Sequence, residues 1–379
     1  MTRPDRVVVV GASVAGVTLA ESLREAGHTG EVVLVDAEAM QPYDKPPLSK
    51  RVLTDEAVGV ADVALRPASF YADLGIELLL GVRAVEVYAD RQVLRTTADE
   101  QHYDRLVLAT GASPIRPRGL PSLEGVHVLR GWGDAECLRA ELVPGARLGV
   151  DVTVVELLDL PLAQLVGDDV AHLAAAAHRE AGVTLRTGCA VTALRGDDWV
   201  EAVELSDGTV VPADVVVVGV GERPDTSWLA SSGVGLDDGV LCDEYGRTWL
   251  PSVLAVGDVA RRRVPSADAG LQSEHWTAAV AQAEAAAVSL ARPEEPPVLP
   301  ADAPFFWTDQ YDLKVQVSGE RRAGDELHLR ETAADGARRL EVWSRDGRVS
   351  AAVSVSWPAR GMKWRVRIGR PVDELAATA

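Results

Sequence analysis

The sequence lacks the cysteine pairs on which several classes of redox and secreted proteins depend. Its three cysteines, Cys137, Cys189 and Cys242, lie far apart along the chain, with no C-x-x-C or C-x₄-C pair. This spacing excludes a local redox dithiol and the disulfide framework of a small secreted protein.

Long apolar runs and an excess of basic residues are also lacking. No apolar stretch approaches the length of about 18 residues that crosses a bilayer. Residues 1–6 are polar and lead directly into a predicted strand, without a signal peptide. The chain has 38 Lys and Arg against 57 Asp and Glu, a net charge of −19, which repels phosphate backbones. We therefore expect a cytoplasmic protein that binds neither nucleic acid nor membranes.

The composition and the apolar patterning predict a globular α/β protein. The 379 residues, 47% of them hydrophobic, can form about two or three domains with sizeable cores. A strand at 6–10, a glycine turn, a helix at 15–26 and a strand at 31–36 form one βαβ unit. Further along, strands at 152–156 and 215–219 enclose another helix, which again indicates α/β structure.

The pattern changes after residues 291–300 (A-R-P-E-E-P-P-V-L-P), because so many prolines cannot occupy the interior of a helix or sheet. Short alternating strands follow at 314–318, 327–331, 340–344 and 349–355. Such strands are typical of an antiparallel sheet, so we expect a separate C-terminal module.

The turn of the first βαβ unit is similar to a dinucleotide-binding loop. Gly11 and Gly16 would let the backbone approach a diphosphate, and the helix that follows supplies N–H groups and a positive dipole end. Ser13 stands where this motif has its middle glycine. Asp36 ends the second strand and is placed to accept a hydrogen bond from a ribose hydroxyl. The alternative is a tight strand-to-helix turn without a ligand.

Further motifs decide between FAD and NAD at this loop. They are Lys45-Pro46-Pro47-Leu48-Ser49-Lys50, Ala109-Thr110-Gly111, Ala255-Val256-Gly257-Asp258, Glu274-His275-Trp276-Thr277 and the segment F-W-T-D-Q-Y at 306–311. With these motifs in order, nearly the whole chain resembles the pyridine-nucleotide–disulfide oxidoreductase superfamily. The closer resemblance is to the FAD-dependent ferredoxin, rubredoxin and putidaredoxin reductases.

The resemblance implies an FAD extended across the first domain. The residues that it assigns to the cofactor are Gly11, Ser13, Ala15 and Gly16 at the diphosphate, Asp36 at the adenosine ribose, Ala84 and Arg130 on the nucleotide side, Asp258 near the ribityl chain, and Trp276 beside the isoalloxazine. Lys50 is implied to lie near the flavin as the catalytic cation, because an ammonium stabilises the negative charge that hydride transfer brings. Without the resemblance, Lys50 reads as a solvated lysine after a proline-rich turn.

The second nucleotide site lacks its glycine loop. Residues 152–156 read as the strand that ends in the ribose-binding acid, Glu156, and an acid there favours NADH because it repels a 2′-phosphate. The loop and helix that should precede this strand are absent between about Leu148 and Gly149, a loss on the order of 25 residues. In the family, the lost helix carries the glutamate that pairs with Lys50. A natural loss, a defect in the gene sequence and a segment omitted from the sequence are all open as explanations.

One nearby segment imitates the missing loop. Gly131-Trp132-Gly133-Asp134-Ala135-Glu136 reads G-x-G-x-x-E, and its spacing to Glu156 equals the spacing of the first loop to Asp36. Because Asp134 and Glu136 would place carboxylates where a diphosphate must bind, we expect no nucleotide loop here.

The resemblance also implies the fold class and the order of domains. The expected fold is α/β, with a doubly wound FAD-binding domain, a shortened second Rossmann-like NAD domain and a small α+β C-terminal domain. The expected domains are 1–118 and 234–300 for the two parts of the FAD-binding domain, 119–233 for the NAD-binding-like domain, truncated near 148/149, and 301–379 for the C-terminal domain.

Two functions fit these features. In the first, hydride passes from NADH to FAD, and single electrons pass to a [2Fe–2S] ferredoxin or a rubredoxin, since flavin accepts two electrons and releases them singly. A disulfide reductase is excluded because residues 36–55 contain no paired cysteines. The alternative is an FAD-binding pseudoreductase with impaired use of NADH that acts as a binding module.

Overall fold

The structure is a computed structural model that describes residues 5–117, 119–146, 149–263, 274–300 and 304–373. The chain divides into two compact units. The first unit comprises Met1–Arg118, His127–Pro144 and Val217–Asp302, and the second unit comprises Gly119–Val126, Gly145–Val216 and Ala303–Ala379.

Helices and strands are numbered along the chain. The helices are α1 (Val14–Glu25), α2 (Arg51–Thr54), α3 (Ala68–Asp73), α4 (Trp132–Ala146), α5 (Ala163–Val166), α6 (Asp168–Glu180), α7 (Trp276–Ala291) and α8 (Pro358–Arg365). The strands are β1 (Arg6–Val10), β2 (Glu31–Asp36), β3 (Ile76–Leu80), β4 (Ala84–Tyr88), β5 (Val93–Thr96), β6 (Glu100–His102), β7 (Arg105–Leu108), β8 (Ala112–Pro114), β9 (Val126–His127), β10 (Thr153–Glu156), β11 (Thr184–Thr187), β12 (Val191–Arg195), β13 (Ala202–Leu205), β14 (Val210–Pro212), β15 (Val216–Val217), β16 (Glu222–Pro224), β17 (Val240–Asp243), β18 (Val253–Ala255), β19 (Ala260–Arg263), β20 (Phe305–Gln310), β21 (Leu313–Gly319), β22 (Glu326–Thr332), β23 (Arg339–Arg345) and β24 (Arg348–Val355). Short 3₁₀ helices cover Pro46–Ser49, Val60–Val63, Ser227–Leu229 and Gly257–Val259.

A five-stranded sheet of order β18-β7-β1-β2-β3 forms the centre of the first unit, and its strands are all parallel. β1 and β2 are valine-rich runs whose central residues, Val8 and Val33, are almost wholly buried. The sequence predicts this burial, because strands covered on both faces read as continuous apolar runs.

The order of these strands brings the sequence motifs together. Parallel strands all end at the same edge of a sheet, and ligands of doubly wound folds bind at that edge. The glycine loop follows β1, Asp36 ends β2, Ala109-Thr110-Gly111 follows β7, and Gly257-Asp258 follows β18. Because these four strands are neighbours, motifs that are far apart in sequence share one edge.

Helices and a second sheet cover the two faces of this central sheet. On one face, α1 and α7 pack together through small side chains of α7, such as Ala279, Ala283 and Ala286. On the other face, the antiparallel sheet β4-β5-β6 contributes Val87 and Leu94 to a second core cluster. The α/β fold predicted for the first domain is confirmed, with helices on one face of the parallel sheet and an antiparallel sheet on the other.

The C-terminal part of the second unit is a five-stranded antiparallel sheet of order β20-β21-β24-β23-β22. One face packs on α5 and α6, where Val166 and Val170 meet Val315 and Val353. The opposite face packs on α8 through Trp364. The antiparallel module predicted after the proline-rich segment is confirmed.

The remaining α/β part of the second unit is small. β10 and β11 form a two-stranded parallel sheet, and within the described ranges β10 pairs with no strand other than β11. Val154 in β10 is 37% exposed, and Leu157, directly after β10, is 68% exposed. Strands of a doubly wound sheet are normally buried on both faces. This exposure is what the loss of the opening strand of a Rossmann unit would produce. Leu148, beside the predicted deletion, lies outside the described residues.

Membrane-spanning helices, metal-binding groups and disulfide bonds are absent from the part of the chain that the structure describes. No helix there combines the length and the apolar character needed to cross a bilayer. No group of three or more His, Cys, Asp or Glu residues within it could hold a metal ion. All three cysteines are free.

Candidate functional site

The loop after β1 requires glycine at two positions. A β-carbon at Gly11, which has a φ of +108°, would lie 2.3 Å from the carbonyl oxygen of Ala109 in the turn after β7. A β-carbon at Gly16 would lie 1.9 Å from the carbonyl oxygen of Gly11. Any other residue would push α1 away from the loop, so the two glycines set the distance between strand, loop and helix.

The N-terminus of α1 has no side-chain cap. Ser13 is the N-cap residue, yet its side chain makes no capping hydrogen bond, and the first turn contains no acidic residue. The first N–H groups of a helix need partners from outside the helix, and the helix dipole favours a negative one. This end of α1 therefore fits a diphosphate group.

Asp36 lies directly against the loop. Its Oδ2 accepts a hydrogen bond from the backbone N–H of Ala12 at 2.6 Å, and its Oδ1 accepts one from the N–H of Glu38 at 2.8 Å. These bonds hold the carboxylate at the edge of the sheet, beside the end of α1. The role of Asp36 at an adenosine ribose stays a prediction.

Arg130 joins the turns that follow β7 and β18. Its Nη2 lies 3.8 Å from Oδ2 of Asp258, and its Nη1 lies 3.2 Å from Oε2 of Glu222. A β-carbon at Gly111 would lie 2.8 Å from Nη2 of Arg130, so this glycine leaves room for the guanidinium. Sequence reasoning missed Glu222, although an acid in the otherwise apolar and glycine-rich segment 216–222 was a usable signal.

The acids around Arg130 resist ionisation. Burial is the main cause that raises the pKa of Asp258, and Arg130 opposes it. Burial likewise raises the pKa of Glu222 and of Glu274. The three carboxyl groups also repel one another, because ionising one raises the cost of ionising the next. Ionising these carboxyl groups therefore costs more here than it would in water.

The turn that carries Asp258 is held between α1 and α7. A β-carbon at Gly257 would lie 3.2 Å from Cβ of Ala15 in α1, and the backbone N–H of Gly257 donates to Oε1 of Gln282 in α7 at 2.9 Å. Gln282 is 4% exposed, and its Nε2 has no hydrogen-bond partner among the described residues. The hydrogen bond to Gln282 therefore ties the turn that carries Asp258 to the interior of α7.

Three other predicted residues of the first unit lie outside this cluster of contacts. Lys50 follows the 3₁₀ helix Pro46–Ser49 and is exposed, and its ammonium has no ion-pair partner among the described residues. Trp276 begins α7 and donates from Nε1 to Oδ1 of Asp44 at 3.0 Å. Ala84 begins β4 and packs against the second core cluster. The described contacts join none of the three to the glycine loop.

Glu156, the predicted acid of the second nucleotide site, belongs to the second unit. It ends β10, and its Oε1 accepts a hydrogen bond from the N–H of Leu158 at 3.0 Å. The acid therefore has the predicted position at the end of its strand. Its contact with a ribose stays a prediction.

The segment that imitates a glycine loop has a different structure. Residues 131–136 form the start of α4, where Oδ2 of Asp134 accepts hydrogen bonds from the N–H groups of Arg130 and Gly131, both at 2.9 Å. Asp134 thus places a carboxylate at the start of this helix, where it would repel a diphosphate. This supports the prediction that the segment binds no nucleotide.

Comparison with known protein families and structures agrees with this architecture. The family described as pyridine nucleotide-disulphide oxidoreductase matches residues 5–283, and the family described as reductase C-terminal matches residues 305–378. The chain is 33% identical to "Probable ferredoxin reductase CtmF" of Castellaniella defragrans, covering 94% of this chain and 92% of that protein. It is 36% identical to "Ferredoxin--NAD(P)(+) reductase fdr" of a Sphingomonas species, covering 91% and 88%.

A solved structure with the same fold is that of the covalent putidaredoxin reductase–putidaredoxin complex. Its TM-score is 0.89 at 29% identity, covering 99% of this chain and 96% of that chain. The alignment with CtmF runs over 383 positions, more than the 379 residues of this chain, while it covers only 94% of them. The relative therefore has residues that lack a counterpart in this chain.

Gly16→Ala should reduce FAD occupancy by about tenfold or more, because the new β-carbon would collide with the carbonyl oxygen of Gly11 and displace the end of α1. The measurement is the visible flavin absorbance per chain after reconstitution with FAD. Gly133→Ala is the matched control, since a β-carbon at Gly133 meets nothing within 4 Å. Equal occupancy in the two variants would mean that the loop after β1 does not hold the cofactor.

Asp258→Asn should stabilise the FAD-free protein at neutral pH. Because the folded-state pKa of Asp258 is raised, its carboxylate opposes folding above that pKa, and the effect disappears below the ordinary Asp pKa of about 4. The difference in melting temperature between variant and wild type should therefore grow as the pH rises from mildly acidic to neutral. Asp335→Asn, which removes a carboxylate with a lowered pKa, should change stability in the opposite direction. A pH-independent difference for Asp258→Asn would contradict the assignment.

Proposed function

The chain belongs to the pyridine nucleotide-disulphide oxidoreductase family, and from this premise we propose that it passes electrons from NADH through FAD to a [2Fe–2S] ferredoxin or a rubredoxin. It is an FAD-dependent oxidoreductase of the ferredoxin-reductase type. The observation that carries this function is the convergence at one sheet edge of the uncapped N-terminus of α1 with Asp36 and Asp258.

Bound FAD supplies an acceptor that takes two electrons together and releases them one at a time. The residues of the chain bind and orient it. We assign the diphosphate to Gly11, Ser13, Ala15 and Gly16, the adenosine ribose to Asp36, the ribityl region to Asp258, the nucleotide side to Ala84 and Arg130, the isoalloxazine to Trp276 and the catalytic cation to Lys50. These roles, the four domain boundaries and a cytoplasmic location stay predictions from the sequence.

The environment of Arg130 supports its role and that of Asp258. Arg130 is held between Asp258 and Glu222, so its guanidinium cannot swing freely into solvent. The carboxyl oxygens of Asp258 can accept hydrogen bonds from hydroxyl groups, which suits a ribityl chain.

The acceptor is inferred from relatives. The similar solved structure contains putidaredoxin bound to its reductase, and the similar proteins are named ferredoxin reductases. The C-terminal sheet of this chain, matched by the reductase C-terminal family, supports the same class of partner. A small iron–sulfur protein of the ferredoxin type is therefore the proposed acceptor.

The proposed NADH site lacks part of the structure on which its affinity would depend. A dinucleotide site draws most of its diphosphate affinity from glycine-loop amides at a helix N-terminus. In the second unit, β10 with Glu156 offers a ribose-binding acid, and the exposed Val154 and Leu157 support the loss of the strand and loop beside it. We propose that NADH binds here with reduced affinity.

The chain should therefore bind FAD but use NADH poorly. Each lost charge-assisted hydrogen bond is worth about 1.5–3 kcal/mol, so losing several moves a micromolar dissociation constant to roughly millimolar. The measurement is anaerobic stopped-flow bleaching of the flavin against NADH concentration. The matched protein carries a family βα unit grafted after residue 148, and it should saturate at micromolar NADH.

The outcomes separate the two functions. Slow bleaching of the flavin in the ungrafted chain, restored to a fast rate by the graft, supports a reductase with a weakened NADH site. Electron transfer to added ferredoxin is then measured through the reduction of cytochrome c. A flavin that photoreduces but ignores NADH in both proteins favours the pseudoreductase that acts as a binding module. Fast saturation of the ungrafted chain at micromolar NADH would refute the proposed loss of affinity.

Lys50→Met should lower the midpoint potential of the bound flavin by tens of millivolts, because a cation near the flavin stabilises the negative charge of reduction. Spectroelectrochemistry measures the shift. Lys314→Met removes an exposed lysine of the second unit and should leave the potential unchanged. The same potential in wild type and Lys50→Met would show that Lys50 points away from the isoalloxazine.

A further inference from the structure

Glu222 has no role in the cofactor site predicted from the sequence, yet the fold brings it to that site. It begins β16, which pairs antiparallel with β8, so that Glu222 lies opposite Pro114. β8 starts directly after the turn at Gly111, and the N–H of Asp225 donates to the carbonyl oxygen of Gly111 at 3.2 Å. The pairing of β8 with β16 therefore places Glu222 near the turn that follows β7.

The guanidinium of Arg130 lies between two acids of unequal distance. Nη1 donates a hydrogen bond to Oε2 of Glu222 at 3.2 Å, whereas Nη2 lies 3.8 Å from Oδ2 of Asp258. Nη2 also lies so close to Gly111 that a β-carbon there would be 2.8 Å away. The side chains of Arg130 and Glu222 are 33% and 25% exposed, so neither is enclosed by protein. Glu222 is thus the nearer partner of a guanidinium that a ligand at this edge can reach.

We propose that Glu222 is a positioning residue for FAD, which holds Nη1 of Arg130 so that the other N–H groups of the guanidinium face the cofactor. Arginine presents five N–H donors in a rigid, planar fork, so fixing one nitrogen also fixes the direction of the others. Without Glu222, Asp258 is the remaining acid within ion-pair distance of Arg130 among the described residues, and the guanidinium would turn toward it. This inference rests on the proposed binding of FAD.

Two substitutions of equal charge separate positioning from electrostatics. Glu222→Gln keeps an oxygen that can accept a hydrogen bond from Nη1 of Arg130, and Glu222→Ala removes it, while both remove the negative charge. If Glu222 positions Arg130, Glu222→Ala should bind FAD about tenfold or more weakly than Glu222→Gln does. The measurement is quenching of flavin fluorescence on titration, and melting of the FAD-free proteins shows that both variants are folded. Equal FAD affinity of the two folded variants would overturn the inference.

The route through Arg130 is tested by repeating the comparison in an Arg130→Met background. There Glu222→Ala and Glu222→Gln should bind FAD equally, because no guanidinium remains to be held. A difference that persists would mean that Glu222 acts on FAD without Arg130, which contradicts the inference. Glu21 is the matched control, since it is also paired with an arginine, Arg66, and its side chain is 21% exposed. Glu21→Ala and Glu21→Gln should bind FAD equally well.

A direct readout covers variants that fail to fold or that bind FAD too weakly to titrate. In wild-type protein labelled with ¹⁵N-arginine, the guanidinium signals that disappear in Arg130→Met belong to Arg130. A guanidinium held by Glu222 rotates slowly about its Cζ–N bonds, so its NH₂ groups should give separate signals, which should shift when FAD is added. Averaged or unshifted signals in wild type, or separate signals that persist in Glu222→Ala, would overturn the inference. Failure of wild-type protein to bind FAD at all would instead overturn the proposed function.

Discussion

The close contact between Gly11 and the turn after β7 is the constraint on which the first unit depends. At this point the loop after β1 passes so near the carbonyl oxygen of Ala109 that no side chain fits. The same contact aligns the end of α1 with the turns after β7 and β18. Because parallel strands end together, one tight backbone approach brings Asp36, Arg130 and Asp258 into a single site.

The two α/β parts of the chain show what such a contact contributes. In the first unit, the strand that leads into the glycine loop, β1, is the central strand of a five-stranded sheet with buried strands. In the second unit, β10 and β11 stand as a pair, with apolar side chains such as Val154 in solvent. The sites proposed for FAD and for NADH thus lie in separate parts of the chain, and only the second is predicted to be shortened. Because the two sites are separate, a low affinity for NADH is compatible with an intact FAD site.

Two similar glycine patterns differ in the groups that surround the N-terminus of the helix that follows them. At Gly11–Gly16, the helix N-terminus is free of side-chain caps and acids, so its N–H groups can receive an anion. At residues 131–136, the first turn of the helix carries the acid Asp134, whose carboxylate accepts hydrogen bonds from the N–H groups of Arg130 and Gly131. Near the proposed cofactor site, burial raises the pKa of Asp258 and of Glu222, and the guanidinium of Arg130 opposes both shifts.

The sequence by itself determined the fold class, the two glycines of the loop, the position of Asp36 and the antiparallel C-terminal sheet. These features rest on local patterns, namely strand periodicity, turn residues and spacing within one βαβ unit. Only the tertiary structure revealed Glu222 as a partner of Arg130 and Gln282 as the partner of the Gly257 N–H group. Each of these depends on which strand ends and helices become neighbours, and a side chain's local sequence carries no record of the distant residues that will surround it.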